Sequence, residues 1–520
     1  MKGNLRSAVR YAGRIGTAVT ILFATRGAAA QVVPTSQPSH CASALAKGKD
    51  LLGQREFRQA EAILVGATSV CPRVAEIFDA LGLAYDFDGQ PGKAQATFRQ
   101  AIAINPRSAG YHNNLAASLV RSGNQAAGIN EFRKSLEIDP ANQTANLNLG
   151  SLYLENKQYK AALHCFQAAH VERSQDPVAL LELTGAYFGA GNAQAGRATA
   201  NRLTKLPGLE PSVHFSLGLQ LAAYGEYELA AKQFAAISES DRDVATDLNL
   251  GMADSELRRF QEARQAYDNV LRRDPSNPDA FLHIGLDAAA TGNDSAALDW
   301  ITQAHNRAPD RPDISRALAR ELIRAGNFER ARDLLASALS GHPKDPDLLE
   351  AQGDLLLGEG RPQEASGAYL QTLGLERRRV SARLSLASAY ERLGQNGKAT
   401  SELQRVLRDD PQNATAKAHL GHLALEAGQQ DAANEWINQA LAADPNNIIA
   451  SEDRAVLLER AGKPDQAEVI LQRLAKLNPR DPQIHYLLSR ALAQLRKPEE
   501  AKAEFELSKK LQAAQDRHGE

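Results

Sequence analysis

The chain has 520 residues, of which 43% are hydrophobic and only 5% aromatic, and its formal net charge at pH 7 is −2. One globular core rarely grows beyond roughly 250–300 residues, so a chain of this length contains either several domains or a repeat array. The near-neutral charge excludes an overall basic surface of the kind that binds nucleic acid or an anionic membrane, so we predict neither as the main partner.

Residues 1–30 have the organisation of an export signal. The apolar run Ile15–Ala24 is followed by the small residues Ala28–Ala30, which suit a signal peptidase, so we predict cleavage before Gln31. The run is about half the length of a membrane-spanning helix, which needs about 20 residues. An uncleaved anchor and a frayed N-terminus without a signal are the alternatives. Basic residues and no acids accompany the run: Lys2, Arg6, Arg10, Arg14 and Arg26. We therefore predict a periplasmic or secreted protein without an integral membrane segment after cleavage.

Beyond a short linker at 31–40, a small residue recurs every 34 residues, with a single step of 33. Such a fixed period is the signature of a repeat architecture. Twelve of these fourteen positions are Ala and two are Gly: Ala60, Ala94, Gly128, Ala162, Gly196, Ala230, Ala263, Ala297, Ala331, Ala365, Ala399, Ala433, Ala467 and Ala501. We call this set the alanine column, and it marks a position that tolerates no side chain larger than a methyl group.

A second small position lies twelve residues before each member of the alanine column, as at Gly82, Gly150 and Gly218. Four residues after the alanine column a large residue is frequent: Phe98, Phe132, Phe166, Phe234, Tyr267 and Phe505. Spacings of three and four residues place side chains on one helical face, so two helices per unit pack closely and the large residues fill the space left by the small ones. Proline closes nine units, and it cannot continue a helix.

The order of Leu, Gly and Tyr, then Ala, Phe and Pro, in a 34-residue unit resembles the tetratricopeptide repeat. The resemblance covers about Cys41 to Gln512. It implies an all-α fold, a right-handed superhelical solenoid of about fourteen antiparallel helix pairs, with the first helix of each pair lining a concave face. Repeats of this kind bind other proteins and use no cofactor.

The array is predicted to fall into three parts. Repeats 1–4 occupy 41–176, degenerate repeats 5–6 occupy 177–243, and repeats 7–14 occupy 244–513, followed by a polar tail at 514–520. Thr184 and Gly196 replace the usual residues of the two small positions in the degenerate part. A hinge there and ordinary drift within one continuous solenoid are both compatible with this pattern.

Cys41 and Cys71 fall at the beginning and the end of the first repeat. Because the start of one helix lies beside the end of its antiparallel partner, the two cysteines are candidates for a disulfide, which export would permit. Two free thiols are the alternative. Cys165 is predicted to be a small buried hydrophobe.

Residues on the first helices are the candidate partner-binding surface, if these helices line the groove as they do in the family. The apolar candidates are Phe87, Leu147, Leu154, Phe188, Phe215, Leu219 and Met252. Such a lining would hold an amphipathic helix or an extended apolar segment. Packing between neighbouring repeats is the alternative explanation for these side chains.

Arg316, Arg320 and Arg324 recur at four-residue spacing and form a basic row on one helix. An inter-repeat ladder of ion pairs, Arg316 to Glu350 and Arg320 to Asp354, is one interpretation. The other is that the row binds an acidic group of a partner, with Arg324 the strongest candidate because Gly358 occupies the matching position of the next repeat.

The chain has no recognisable catalytic, metal-binding or phosphate-binding motif, and the repeats leave no room for a catalytic domain. We therefore predict a non-catalytic scaffold or adaptor of the periplasm or cell envelope that holds other proteins or peptide segments. The alternative is an accessory subunit that organises a polysaccharide synthesis or secretion machine, or an outer-membrane assembly machine. The sequence leaves self-association and the identity of the partner open.

Overall fold

The computed structural model of the protein describes residues 39–518, with side chains described for 39–513. The predicted export signal and its cleavage site lie outside these residues. Within the described part of the chain all regular structure is helical, with 28 α-helices, one short 3₁₀-helix at Val171–Arg173, and no strand. The predicted all-α fold is therefore confirmed.

The chain divides into two compact units, with the boundary between Ala266 and Tyr267. Helix α14 (Phe260–Arg273) contains the boundary. The first unit holds thirteen complete helices: α1 (Ser39–Gly53), α2 (Phe57–Val70), α3 (Ala75–Phe87), α4 (Pro91–Ile104), α5 (Ala109–Arg121), α6 (Gln125–Ile138), α7 (Gln143–Glu155), α8 (Tyr159–Ala168), α9 (Pro177–Gly189), α10 (Ala193–Leu203), α11 (Pro211–Ala223), α12 (Tyr227–Ala236) and α13 (Val244–Glu256).

The second unit continues the same alternation of first and second helices. Its helices are α15 (Pro278–Ala290), α16 (Asp294–Arg307), α17 (Pro312–Arg324), α18 (Phe328–Gly341), α19 (Pro346–Gly358), α20 (Pro362–Leu375), α21 (Val380–Arg392), α22 (Asn396–Asp409), α23 (Ala414–Glu426), α24 (Gln430–Ala443), α25 (Ile448–Arg460), α26 (Pro464–Leu477), α27 (Pro482–Gln494) and α28 (Pro498–His518). Odd-numbered helices open a repeat and even-numbered helices close it, so the described residues give the fourteen helix pairs that the period predicts.

The short turn between the first and second helix of a repeat contains residues that cap the two helix ends, as repeat 3 shows. Gly123 has a φ of +89°, in the left-handed region that favours glycine, and it follows Ser122, the C-cap residue of α5. The side chain of Asn124 then accepts a hydrogen bond from the backbone N–H of Ala127, 3.3 Å away, and so caps α6. Gly–Asn pairs in this sequence are therefore helix-capping turns.

The two small positions bring the helices of a repeat into contact. A Cβ atom added to Gly150 would lie 2.6 Å from Cε1 of Phe166, and one added to Gly82 would lie 2.5 Å from Cε1 of Phe98. Both aromatic rings are fully buried. The large residue after the alanine column thus occupies the space that the glycine of the first helix leaves open, as the spacing predicts.

Helix pairing continues through the degenerate stretch at 177–243. Phe234 packs on Gly218 in the usual way, and the hydroxyl of the buried Thr184 donates a 2.7 Å hydrogen bond to the carbonyl of Leu180. This internal bond satisfies the one polar group that Thr adds to the small position. The boundary between the two compact units lies after this stretch, and a hinge within it stays a prediction.

Candidate partner-binding surface

Phe87 is the most accessible of the seven apolar candidates. Its side chain is 37% exposed and its ring stacks on Phe57, with 5.3 Å between the centroids. The guanidinium of Arg121 lies 5.6 Å from the ring centroid, in a cation–π arrangement. The ring is therefore held in place while one side remains accessible to a partner.

Two of the apolar candidates are packing residues. Phe188 is buried, stacks on Tyr224 with 5.2 Å between the centroids, and covers Gly196. Met252 is only 4% exposed. Neither side chain lies open to a groove, so for these two the packing explanation fits the structure better than the partner-binding one.

The remaining four apolar candidates are half-buried. Leu147 and Leu154 pack against the hydrophobic core of repeats 3–5, and Phe215 meets Phe234 edge-on at 5.9 Å. Leu219 is the fourth of this group. Each could present one edge to a partner, and their role in binding stays a prediction.

A row of buried polar side chains runs across the first helices α3, α5 and α7. The side-chain amide of Asn148 donates to Asn113 (3.2 Å), Asn113 donates to Asn114 (3.3 Å), and Asn114 donates to Asp79 (3.0 Å). Asn113 and Asn114 are almost fully buried. This hydrogen-bonded chain ties three consecutive repeats together, and it ends on a carboxylate.

The ionisation of Asp79 makes the stability of the first unit depend on pH. Burial, reinforced by the nearby charge of Glu76, raises the pKa of Asp79 from its ordinary 3.8 to about 7. A carboxyl whose pKa is higher in the folded state favours folding when protonated, so this contribution is lost as the pH rises from about 4 to about 7.

We expect Asp79→Asn to flatten this pH dependence and to stabilise the protein more at pH 8 than at pH 5. The amide carries no charge to be buried, and its oxygen can still accept the bond from Asn114. Urea unfolding at several pH values measures the effect, with the exposed Glu137→Gln as the matched control. Equal changes in both variants at every pH would contradict the prediction.

In the second unit, three consecutive first helices enclose a cleft of about 400 Å³. The basic row lies on α17, acidic residues on α19 face it, and the N-terminus of α21 completes the wall. We call this site the arginine cleft, and its lining residues are Arg316, Arg320, Ile323, Arg324, Asp347, Glu350, Ala351, Asp354, Arg379 and Ser381. The structure thus brings the three predicted arginines together at one accessible site.

The predicted ladder of ion pairs is wrong. Glu350 pairs with Arg379, which also pairs with Asp347. Asp354 instead accepts a 2.8 Å hydrogen bond from the hydroxyl of Tyr369. Removal from water raises the pKa of Asp354 to about 6, with Glu350 adding to the rise. The acidic wall is therefore largely compensated by Arg379 and Tyr369, and not by the basic row.

Glu321 on the same helix compensates Arg320 and Arg324. Its buried carboxylate lies 3.2 Å from Nε of Arg320 and 2.9 Å from Nη1 of Arg324. Arg324 also lies 3.6 Å from Asp294. Arg324, the strongest candidate on sequence grounds, is thus already paired. Its counter-ions are Glu321 on its own helix and Asp294 on α16, and neither belongs to the next repeat.

Arg316 is the member of the row that has no counter-ion among the described residues. Its side chain is half-buried, and Nε is shielded from water without a hydrogen-bond partner. An unpartnered, partly desolvated guanidinium is costly, and a carboxylate whose two oxygens accept hydrogen bonds from its N–H groups would relieve that cost. The arginine cleft is therefore suited to one acidic group of a ligand, held at Arg316.

Sequence reasoning missed Arg379 and the polar row. Asn114 and Asn148 are 34 residues apart, as are Asp79 and Asn113, so the period itself carries a signal for the row. Arg379 stands just before α21 rather than on a groove position, and its contacts to α19 follow only from the three-dimensional packing.

Cys41 and Cys71 are joined by a disulfide across α1 and α2, with their Cα atoms 6.1 Å apart. Both residues are buried in the core of the first repeat. Cys165 is free and buried, and burial raises the pKa of its thiol to about 11, so it stays protonated at neutral pH.

Comparison with known families identifies repeats in both compact units. A family model described as tetratricopeptide repeat matches residues 80–143, 248–312, 316–379 and 384–448. Two further models of the same description match 458–517 and 131–164, and the matches together cover more than half of the chain. The chain belongs to the tetratricopeptide repeat family. Tetratricopeptide repeats in general mediate protein–protein interactions, which agrees with the predicted protein-binding scaffold.

Individual relatives match parts of the tetratricopeptide array. A probable UDP-N-acetylglucosamine–peptide N-acetylglucosaminyltransferase SPINDLY of Hordeum vulgare is 30% identical over 136 residues, which are 25% of this chain and 14% of the barley protein. The lipoprotein NlpI homolog of Haemophilus influenzae is 25% identical over 233 residues, 42% of this chain and 72% of that protein.

Solved tetratricopeptide structures are similar over most of the chain at low identity. A chain in the crystal structure of the APC/C hetero-tetramer Cut9–Hcn1 aligns with 80% of this chain along 95% of its own length, with 16% identity and a TM-score of 0.40. Yeast Tom70 aligns with 84% of this chain along 97% of its own length, with 14% identity and a TM-score of 0.43. Among the helices that the structure describes, none is both long and apolar enough to cross a membrane.

Proposed function

We propose that the protein is a scaffold of the periplasm or cell envelope that binds an acidic segment of a partner protein at the arginine cleft. The unpartnered guanidinium of Arg316 is the observation that carries this proposal. Most other charged groups of the cleft have a partner within the chain, so a ligand gains most by supplying a carboxylate at this point.

The apolar part of the cleft limits what can bind. Ile323 and Ala351 line it beside the arginines, so the ligand places an aliphatic stem against them and a carboxylate against Arg316. A glutamate side chain in an extended or helical segment has this combination. Phe87 in the first unit is a separate candidate for an apolar contact with a partner.

The proposal is tested with two short fluorescein-labelled peptides, one containing several Glu residues among Leu and Ala, the other with Gln in place of Glu. Anisotropy titration measures their affinity for the full chain. We expect the Glu peptide to bind more tightly and Arg316→Gln to weaken that binding about 10- to 100-fold, since a hydrogen bond to a charged group contributes about 1.5–3 kcal/mol.

Arg408→Gln is the matched control, because Arg408 is an exposed arginine on the second helix α22 of the same unit. This variant should bind like the wild type. If the Glu and Gln peptides bind equally, or if Arg316→Gln binds as well as Arg408→Gln, the arginine cleft is not the site.

Two observations support placement in the periplasm or cell envelope: the signal-like composition of residues 1–30 and the similarity to a Haemophilus lipoprotein over 72% of its length. We expect the protein to be recovered from the envelope or periplasmic fraction with Gln31 as its first residue. N-terminal sequencing after cell fractionation measures this. A cytoplasmic chain that retains Met1 would contradict the placement.

A further inference from the structure

The disulfide of the first repeat lies beside a third group that can bind metal. Nε2 of His40 is 3.4 Å from Sγ of Cys41, and the donor atoms of His40, Cys41 and Cys71 all lie within 4.8 Å of one another. Both cysteines are buried, whereas His40 is exposed, so the group is open to solvent on the His40 side. No other group of three His, Cys, Asp or Glu side chains among the described residues is so close.

We propose that reduction of the disulfide converts these residues into a binding site for one Zn²⁺ ion, with Cys41, Cys71 and His40 as ligands. Two thiolates and one imidazole are donors that zinc prefers, and three protein ligands leave a fourth position for water. The disulfide and the metal need the same two sulfur atoms, so the two states exclude each other.

The distances fit this ligand set. Zinc binds imidazole nitrogen at about 2.0–2.1 Å and thiolate sulfur at about 2.3 Å, so neighbouring ligand atoms of a tetrahedral site lie about 3.5–3.8 Å apart. The 3.4 Å from Nε2 of His40 to Sγ of Cys41 is within about 0.1 Å of the lower end of this range. The Cα atoms of Cys41 and Cys71 lie 6.1 Å apart within a packed core, and after reduction we expect side-chain rotation to bring the two sulfur atoms to this spacing.

The chemistry balances with a dithiol as the reductant. The protein disulfide takes up two electrons and two protons and becomes two thiols, while the dithiol becomes a disulfide. Each thiol then loses its proton when its sulfur binds the ion, so binding releases two protons and becomes stronger as the pH rises.

Co²⁺ is the probe, because thiolate ligation gives a near-ultraviolet charge-transfer band and tetrahedral geometry gives intense visible bands. The full chain carrying Cys165→Ala is reduced, freed of reductant without air, and titrated. We expect one equivalent of Co²⁺ to bind and Zn²⁺ to displace it. Zn²⁺ should also restore the thermal stability that reduction removes. The oxidised protein should show no bands.

His40→Ala is expected to weaken Co²⁺ binding at least tenfold while leaving the oxidised protein unchanged. His164→Ala, an exposed histidine on α8, is the matched control and should bind like the parent. Circular dichroism confirms equal helicity of the variants. The proposal is overturned if the reduced protein gives no thiolate band with Co²⁺, even if the cause is unfolding of its first repeat. It is also overturned if His40→Ala and His164→Ala bind Co²⁺ equally.

Discussion

Replacing Phe166 by alanine is expected to lower the free energy of unfolding of the first unit by about 3–5 kcal/mol. The ring is fully buried, and it fills the space beside Gly150, which has no side chain of its own to fill the cavity. The loss therefore combines the transfer of a whole aromatic ring with an uncompensated void. Urea unfolding followed by far-ultraviolet circular dichroism measures it.

Phe505→Ala is the matched control because Phe505 occupies the same repeat position. Its side chain is 36% exposed, and Ser489 rather than glycine stands at the small position of that repeat. Partial burial should limit its loss to a fraction of that at Phe166. Similar losses at both positions would show that the glycine contact is not what makes Phe166 important.

The same contact can be tested from the other side by Gly150→Ala. The added methyl group would lie 2.6 Å from the Phe166 ring, so overpacking should cost about 1–3 kcal/mol in the wild type. In the Phe166→Ala background the methyl group enters the cavity instead, and the cost should disappear. A coupling energy near zero in this double-mutant cycle would contradict the packing argument.

The helix pairs could be predicted because their signal repeats. Small positions such as Gly82, Gly150 and Gly218 face a large side chain of the second helix, and recurrence of this helix-pair contact through the repeats makes the period visible even where single units drift. Gly150 and Phe166 are sixteen residues apart and adjacent in space for the same geometric reason in every repeat. Local packing of this kind is encoded close together in the sequence.

Charge pairing in the arginine cleft could not be predicted in the same way. Arg320 and Glu321 are adjacent in the sequence, and Arg379 reaches back to Glu350 from the start of the next first helix. A long charged side chain can reach several counter-ions. Which ion pair forms depends on rotamers and burial, which the repeat register does not specify. The register therefore located the basic row but gave the wrong partners.

The sequence contains an indication that Phe188 is buried, although we assigned this residue to the groove. Gly196 is one of only two glycines in the alanine column, and without a Cβ atom it opens space on α10. The Phe188 ring fills that space, with its Cδ2 2.8 Å from the position a Cβ would occupy. The other glycine, Gly128, is covered by Val120 in the same way. A glycine in this column thus predicts an inward-packed side chain on the preceding helix.

Removing the disulfide by Cys41→Ala and Cys71→Ala is expected to lower the opening free energy of α1 by about 3–4 kcal/mol. The bond closes a loop of 30 residues, and the chain-entropy model gives a cost of this size for such a loop. Helix α1 packs mainly against the helices α2 and α3 among the described elements, so the effect should be concentrated there. Hydrogen exchange of the α1 amides, in the presence of a metal chelator, measures it.

Cys165→Ala is the control for loss of a buried cysteine without loss of a cross-link, and it should leave exchange in α1 unchanged. The amides of α5 to α7 should exchange at the same rate in all variants, because a repeat contacts only its neighbours and loosening of the first repeat does not extend to the third. If α1 is equally protected with and without the cross-link, packing on α2 and α3 alone holds it. If instead the whole first unit loses protection, its repeats unfold as one cooperative block, and the disulfide then stabilises several repeats rather than one.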